Sequence, residues 1–301
     1  MSGVILYGAP APGLVEVPAG ATQVSPLIPG SADLAAMADA SVDSAVVLAP
    51  GGTVERDYVL AQALRALKPG GRLLAFAPKD KGGARLKKAL ERFGCSVSEE
   101  ARRHHRFCHV TRPEALTDID KGIAAGAPRI VPGLGVWSQP GVFSWDRLDP
   151  GSARLVDILP PLAGKGADLG CGVGVLALRV LASPVASLAC VDMDRRAVDC
   201  ARHNLTDPRA CVIWADVRAL GDSLSNLDFV VMNPPFHDGG TEDRELGVAF
   251  IRAAARLLRR GGVCWIVANR HLPYEAALAA TFESVAVKAD AGGYKIFEAR
   301  K

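Results

Sequence analysis

Apolar strand patterns and amphipathic helix patterns alternate along the second half of the chain. The predicted strands are 187–191, 210–214, 227–232 and 263–268, and the predicted helices are 175–181, 195–204 and 247–258. Strands separated by helices predict a mainly parallel sheet covered on both faces, and so an α/β fold. Open sheets of this kind bind ligands at the carboxyl ends of their strands.

A segment rich in glycine and proline, residues 122–151, separates this region from the first part of the chain. Glycine and proline at such density interrupt both helix and strand patterns. We therefore predict two domains, residues 1–128 and residues 129–301. The length of 301 residues agrees with this division, because single cores stop growing at about 250–300 residues.

The first domain repeats part of the pattern of the second. The matching segments are 67–79 with 258–270, and 46–50 with 230–234. Both copies carry a Gly-Gly pair before an apolar strand, and the alignment places Ala49 where the second copy has Asn233. We interpret this as an internal duplication whose first copy lacks a glycine-rich ligand turn and is noncatalytic.

Composition narrows the class of protein. With 49% apolar and 22% charged residues, the chain is neither disordered nor of low complexity. Seven cysteines without a C-x-x-C pair favour reduced thiols, and no second pair at zinc-site spacing follows the His104–His109 cluster, so we expect no metal. There is neither a recognisable secretory signal nor an apolar run of about 18 residues, so we expect a cytoplasmic protein without membrane association.

The net charge of +3 conceals a local excess of positive charge. Residues 79–112 contain ten Lys and Arg against four Asp and Glu. Such a segment suits a surface that contacts nucleic acid. It equally suits a solvated helix face, since Arg85, Lys88 and Arg92 recur at helical spacing.

A glycine-rich turn follows Ala167-Asp168-Leu169, which is the first predicted strand of the second domain and precedes strand 187–191. Asp168, Gly170, Gly172 and Gly174 form the pattern D-x-G-x-G-x-G. Glycine permits a positive φ and lets a ligand approach the backbone. A dinucleotide site would use G-x-G-x-x-G, with its last glycine one place later, which disfavours an oxidoreductase.

Two acidic residues end the next two strands. Asp192 ends the second strand, about 20 residues after the glycine turn, where an acid can bind a ribose. Asp216 ends the third strand. Each of these could alone be a helix cap or a turn residue. Together with the turn, they predict a ligand site at consecutive strand ends.

The fourth strand ends in Asn233-Pro234-Pro235-Phe236-His237-Asp238-Gly239. The prolines keep the local backbone out of regular secondary structure. Asn233 offers a side-chain carbonyl and Pro234 a backbone carbonyl as acceptors for an exocyclic amino group. Phe236 offers a surface on which a planar base can stack.

With these motifs the chain resembles class I S-adenosylmethionine-dependent methyltransferases, and residues 137–301 resemble the small-subunit ribosomal RNA guanine-N2 methyltransferase C family. The resemblance also rests on the lead-in Pro140–Ser152, the segment Ile266–Tyr274 and the tail Gly293–Phe297. It implies a Rossmann-like domain with a mainly parallel seven-stranded sheet, preceded by a degenerate methyltransferase-like α/β domain. The resemblance is weaker in the first domain.

The resemblance also implies residue roles. Asn233, Pro234 and Phe236 would hold the target base. The residues implied to surround S-adenosylmethionine, which leaves as S-adenosylhomocysteine, are Asp168, Gly170, Gly172, Gly174, Asp192 at the ribose, Met193 and Asp216 at the adenine, Phe143 and Asp149. The residues that would contact RNA are His237, Arg102, Arg103, Arg106, Arg270 and Lys295, although a loop contact for His237 and ordinary surface positions for Arg270 and Lys295 fit as well.

The predicted reaction is methyl transfer from S-adenosylmethionine to N2 of a guanine in 16S ribosomal RNA, by a monomer that binds the RNA or the small subunit. One alternative is the same chemistry on another RNA, a DNA adenine or a protein glutamine. A second alternative is a noncatalytic RNA-binding assembly factor that retains the cofactor pocket. The sequence alone does not identify the nucleotide.

Overall fold

A computed structural model describes residues 3–221, 224–235, 237–238, 241–242 and 244–301, with the backbone alone at 237–238, 241–242 and 244. The chain divides into two units. The first comprises Met1–Pro128 and Gln139–Gly141, and the second comprises Arg129–Ser138 and Val142–Lys301. Each unit has its own main sheet and hydrophobic core.

The first unit is built on a six-stranded sheet in the order β2-β1-β3-β4-β6-β5. Strand β6 is antiparallel to both of its neighbours, and the other pairs are parallel. A short 3-10 helix, Gly83–Arg85, precedes α2. The elements are β1 (Val4–Tyr7), β2 (Thr22–Gln23), β3 (Val42–Leu48), α1 (Thr53–Ala66), β4 (Leu67–Pro78), α2 (Leu86–Arg92), β5 (Val97–Arg102), β6 (His105–Thr111) and α3 (Ile119–Gly126).

The second unit begins with a two-stranded ribbon and helix α4, and then forms the main sheet. The elements up to the acceptor loop are β7 (Arg129–Ile130), β8 (Trp137–Ser138), α4 (Pro150–Ile158), β9 (Gly164–Leu169), α5 (Val175–Leu181), β10 (Val185–Asp192), α6 (Arg195–Asn204), β11 (Ala210–Trp214), a 3-10 helix (Val217–Ala219) and β12 (Leu227–Met232). The remaining elements are β13 (His237–Asp238), β14 (Thr241–Glu242), α7 (Arg244–Leu257), β15 (Leu258–Asn269), α8 (Tyr274–Thr281), β16 (Ser284–Ala291) and β17 (Tyr294–Arg300).

The main sheet of the second unit has seven strands in the order β11-β10-β9-β12-β15-β17-β16. The first five strands are parallel, and β17 is antiparallel to β15 and β16. The predicted α/β fold with a mainly parallel seven-stranded sheet is thereby confirmed. Helices α5 and α6 and strands β11 and β12 have the predicted bounds, whereas α7 begins three residues earlier than predicted.

Strand β12 shows why a central strand reads as one apolar run. Val230 and Met232 pack into the core on one face of the sheet, and Phe229 and Val231 pack into the core on the other. All four side chains are buried. Each contributes about 1.5–3 kcal/mol by leaving water, and together they fix the strand that ends at Asn233.

The two sheets share the topology that an internal duplication predicts. Strands β1 to β6 of the first unit repeat the order and directions of β9, β10, β12, β15, β16 and β17, and within the described residues the first sheet lacks only a counterpart of β11. Details recur as well: Gly70 and Gly261 have φ of +77° and +72°. Each donates its amide to the backbone carbonyl of the residue directly after the antiparallel neighbour strand, Arg112 after β6 and Lys301 after β17.

The register corrects one detail of the predicted alignment. After an irregularity in each ladder, Ser44 of β3 pairs with Arg72 of β4, and Phe229 of β12 pairs with Val263 of β15. Arg72 and Val263 each directly follow the Gly-Gly pair of their strand. Counting from there, Leu48 and not Ala49 is the counterpart of Asn233. The predicted alignment was wrong by one residue because apolar runs such as Val-Val-Leu and Val-Val-Met do not determine by themselves which residues are equivalent.

No described helix is long and apolar enough to cross a membrane. All seven cysteines are free thiols, and Cys211 alone among them is exposed. Burial raises the pKa of the Cys95 thiol to about 11 and that of Cys200 to about 12. These two buried cysteines therefore act as small apolar core residues.

Candidate active site

The glycine turn after β9 is held against the end of β10. The amides of Gly170 and Cys171 both donate to the carbonyl of Val191, at 2.8 and 3.0 Å. Gly170, Gly172 and Gly174 have φ of +74°, +54° and +94°, which only glycine adopts without strain. The predicted glycine pattern therefore forms a rigid loop at the carboxyl edge of the sheet.

Gly172 leaves open space at the centre of this loop. No described atom lies within 4 Å of the place where its Cβ would stand, whereas a Cβ on Gly174 would meet Leu205 at 3.1 Å. Gly174 caps helix α5 and serves packing, which is a structural use of the third glycine. The space above Gly172 can accommodate a ligand that approaches the backbone.

Asp168, the penultimate residue of β9, is a fully buried carboxylic acid. Neither of its oxygens makes a hydrogen bond of normal geometry to a described residue. Burial, and then the nearby charge of Asp192, raise its pKa from 3.8 to about 8, against a smaller opposing effect of the Ala177 amide. An acid buried without a partner costs stability, and such a group at a strand end is a candidate ligand contact.

Asp192 supports the loop from the neighbouring strand. Its Oδ2 accepts the Gly172 amide and its Oδ1 accepts the Asp194 amide, both at 2.8 Å. Burial raises its pKa to about 6, although these amide bonds act to lower it. The carboxylate thus fixes the glycine loop, and each oxygen keeps a lone pair for a further donor.

Asn233 directly follows β12, and its side chain bonds to other described residues through its nitrogen alone. Its Nδ2 donates to Asp149 Oδ2 at 2.8 Å and to Ser152 Oγ at 2.9 Å. A primary amide has two hydrogens, so both are used inside the protein. The Oδ1 atom faces away from these partners and is the end of the side chain that can accept from a ligand.

The lead-in Asp149-Pro150-Gly151-Ser152 forms the start of α4. Asp149 caps the helix by accepting the Ser152 amide at 2.7 Å, and proline stands in the first turn, where its missing N–H costs nothing. A Cβ on Gly151 would stand 2.8 Å from the Tyr294 ring. Only glycine allows this approach, which joins the lead-in to the tail motif.

One concave site brings several of the predicted residues together. Phe143, Asp149, Gly170, Gly172 and Asn233 all line it, and Ser152 lies among them. Phe143 is 60% exposed although it is a large apolar residue. Exposure of this kind at the mouth of a cavity is typical of a binding surface.

The predicted adenine-site residues stand apart from this lining. The Met193 carbonyl accepts from Trp214 Nε1 at 2.8 Å. Asp216 caps the following 3-10 helix, and both of its oxygens are bonded to the Arg218 guanidinium at 2.7–3.0 Å. This pairing lowers the pKa of Asp216. A ligand amino group at Asp216 would therefore share the carboxylate with Arg218.

The structure describes only some of the residues that are predicted to hold the substrate. Pro234 is buried directly after Asn233. Phe236 lies outside the described residues, and so does the side chain of His237. Their assigned contacts stay predictions.

The basic segment of the first unit is partly committed to its own structure. Arg102 stacks on Phe107, 4.7 Å from the ring centroid, and donates to the Leu14 carbonyl at 3.1 Å. Arg103 donates to the Gly13 carbonyl at 2.7 Å, and Arg106 lies 3.9 Å from Glu99. Arg102 and Arg103 remain exposed.

The other predicted cations face acidic partners. Arg270 pairs with Asp290 at 2.7 Å, and Lys295 pairs with Glu275. The expected helical face is interrupted too, since Arg85 lies in the 3-10 helix and Arg92 pairs with Asp57 at 2.7 Å. Contacts of these residues with RNA stay predictions.

Two residues that matter to the site escaped sequence reasoning. Ser152 was quoted in the lead-in but given no role. Asn204 lies in no predicted motif. Its Oδ1 accepts from the Trp137 amide, and its Nδ2 donates to the carbonyls of Trp137 and Val173, at 2.7–2.9 Å. It thereby ties β8 to the glycine loop, a long-range contact that no local sequence pattern predicts. No group of three or more described His, Cys, Asp or Glu residues is placed to hold a metal ion.

Comparison with known proteins shows clear relatives. Residues 133–298 match the methyltransferase small domain. The ribosomal RNA small subunit methyltransferase C of Shewanella loihica is 34% identical over 269 residues, covering 86% of this chain and 77% of that protein. The protein of the same name from Shewanella halifaxensis is 32% identical over the same shares.

A solved structure is similar over most of the chain. It is the T. thermophilus 16S rRNA N2 methyltransferase for guanosine 1207, in complex with AdoMet and guanosine. The two chains are 29% identical with a TM-score of 0.74, and the match covers 90% of this chain and 76% of that one.

Proposed function

This chain belongs to the ribosomal RNA small subunit methyltransferase C family, and from this premise we propose that it methylates the exocyclic N2 of a guanine in 16S ribosomal RNA, using S-adenosylmethionine. The observation that carries the proposal is Asn233, which has both amide hydrogens bonded inside the protein and lines the cavity beside the glycine loop. An acceptor in this place suits a substrate that offers an amino group.

The residues present fit the cofactor. Asp168 is a buried acid whose oxygens lack a hydrogen-bond partner among the described residues, and it suits a ligand amino group. Gly172 has open space where a Cβ would stand. We assign Asp168, Gly170 and Gly172 to the methionine end, with Gly174 shaping the loop, Asp192 to the ribose, Met193 and Asp216 to the adenine, and Phe143 to the pocket wall.

When bound, S-adenosylmethionine supplies a methyl group that is already electrophilic, so the protein must provide alignment more than a strong base. Asn233 Oδ1 and the Pro234 carbonyl accept hydrogen bonds from the amino group, which localises its lone pair on nitrogen. Phe236 would stack on the base. The target guanine must be unpaired or flipped to reach these acceptors.

The relatives name the substrate class. The T. thermophilus protein acts on guanosine 1207 of 16S rRNA, and its structure holds guanosine. We propose the equivalent guanine here, with the basic segment of the first unit, residues 79–112, docking the RNA. The reaction would take place in the cytoplasm, and a monomer would suffice because all residues assigned to the cofactor and base lie in one unit.

The test is methyl transfer from labelled S-adenosylmethionine to separated 30S subunits, 50S subunits, transfer RNA, DNA and protein. We expect label in 16S rRNA alone. Label in another fraction would move the same chemistry to a different substrate. RNA binding without transfer to any fraction would instead identify a noncatalytic assembly factor.

A further inference from the structure

The side-chain amide of Asn233 can in principle take two orientations, and only one of them can serve as the proposed acceptor. A primary amide carries an oxygen acceptor and a nitrogen donor of nearly equal size, and rotation by half a turn exchanges them. Only the orientation with Oδ1 outward accepts from a guanine amino group. Something in the protein must therefore select one orientation.

Asp149, the N-cap of α4, makes that selection, and Ser152 in the first turn holds the amide in place, since a hydroxyl can donate as well as accept. Asp149 Oδ2 lies 2.8 Å and Ser152 Oγ 2.9 Å from Nδ2. An ionised carboxylate only accepts hydrogen bonds. The rotated amide would place Oδ1 against Asp149 and lose a charge-assisted bond, which is the stronger kind.

The partners are themselves held in place. Asp149 Oδ2 also accepts the Ser152 amide at 2.7 Å, and the Ala153 amide donates to the Asp149 carbonyl at 2.9 Å. Both side chains belong to the first turn of α4, and Ser152 is 9% exposed. The close approach of Tyr294 to Gly151 braces this turn.

We propose that Asp149 and Ser152 are positioning residues that hold the Asn233 amide with its oxygen toward the substrate amino group. The assignment rests on the proposed function for the identity of that substrate. It gives Asp149 a role different from the cofactor contact that its motif predicts. It also gives Ser152 a role of its own.

The cleanest variant is Ser152→Ala, because it removes one acceptor without removing the helix cap. We expect kcat to fall about tenfold, while KM for S-adenosylmethionine and the affinity for S-adenosylhomocysteine stay within twofold. Ser152→Thr keeps the hydroxyl and should recover most of the rate. Asp157→Asn, an exposed change on the same helix, is the matched control and should leave kcat unchanged.

A binding measurement separates positioning from general damage. In the presence of S-adenosylhomocysteine, the wild-type protein should bind guanosine more tightly than inosine, which lacks the 2-amino group. Ser152→Ala and Asp149→Asn should narrow that preference at least threefold with a melting temperature close to wild type. For Asp149→Asn the reason is that its new amide can also donate to Asn233 Oδ1.

The positioning role is overturned if Ser152→Ala retains both wild-type kcat and the wild-type guanosine preference. If the wild-type protein fails to methylate 16S rRNA, the proposed function is wrong. The binding comparison then still decides the positioning role, and an equal preference in wild type and Ser152→Ala overturns it.

Discussion

Counted along the strand register, Leu48 at the end of β3 is the counterpart of Asn233, which directly follows β12. By the same register, Leu6 stands where the second unit has Asp168. An apolar side chain supplies neither the acceptor for a base nor the acid for a ligand amine. The first unit shares the strand order of the second but has apolar residues at the positions of the groups to which we assign the chemistry.

One cofactor per chain follows from this relationship. Titration calorimetry with S-adenosylhomocysteine should give a stoichiometry close to one, and Asp168→Ala should abolish the binding. Two sites per chain would show that the first unit still binds the cofactor, and undiminished binding by Asp168→Ala would contradict the role assigned to Asp168.

Gly172→Ala should weaken the cofactor site more than the fold. The new Cβ would occupy the open space at this loop, so we expect the affinity for S-adenosylhomocysteine to fall at least tenfold. Gly20→Ala is the matched control, because Gly20 also has a positive φ (+77°) and open surroundings but lies in the first unit. Both variants should lower the melting temperature by similar amounts. Equal affinities of the two variants for S-adenosylhomocysteine would contradict the assignment of Gly172 to the cofactor site.

Asp168 should make stability depend on pH. Its pKa is about 8 in the folded protein against an ordinary 3.8, so the folded state binds more protons than the unfolded chain between these values. Stability therefore falls as pH rises through this window. Asp168→Asn removes the ionisation. The melting temperature of this variant minus that of the wild type should therefore increase by a few degrees between pH 5 and pH 8.5. A difference that stays constant with pH would contradict the raised pKa.

The basic segment offers a test of RNA docking. Arg103→Glu with Arg106→Glu should weaken RNA binding and reduce the salt dependence by about one unit of slope per lost phosphate contact. Arg102 is left intact because it packs on Phe107. Lys121→Glu, on α3 outside the segment, controls for a charge reversal elsewhere in the first unit. Equal binding of all three proteins across a salt series would remove this role.

The sequence predicted those parts of the site that are local in the chain. The spacing of Asp168, Gly170 and Gly172 specifies a turn between strand and helix, and a continuous apolar run specifies the strand before Asn233. Parallel strands bring their ends to one edge, so these residues were expected together. That edge is where the structure places them.

Other parts depend on contacts that local patterns do not encode. Ser152 meets Asn233 across 81 positions of the chain, and Asn204 meets Trp137 across 67. Asp216 was expected to be open to a ligand, but Arg218, two residues away, bonds to its carboxylate. The register of the duplication likewise follows from hydrogen bonds between strands, which side-chain hydrophobicity alone does not determine.

The most direct measurement is mass spectrometry of nucleosides from 16S rRNA incubated with S-adenosylmethionine and either wild-type protein or Asn233→Ala. The account predicts N2-methylguanosine at one site with wild type, and nearly none with the variant, while S-adenosylhomocysteine binds both proteins with similar affinity. Undiminished N2-methylguanosine with Asn233→Ala, or a methyl group on another atom of the base, would contradict it.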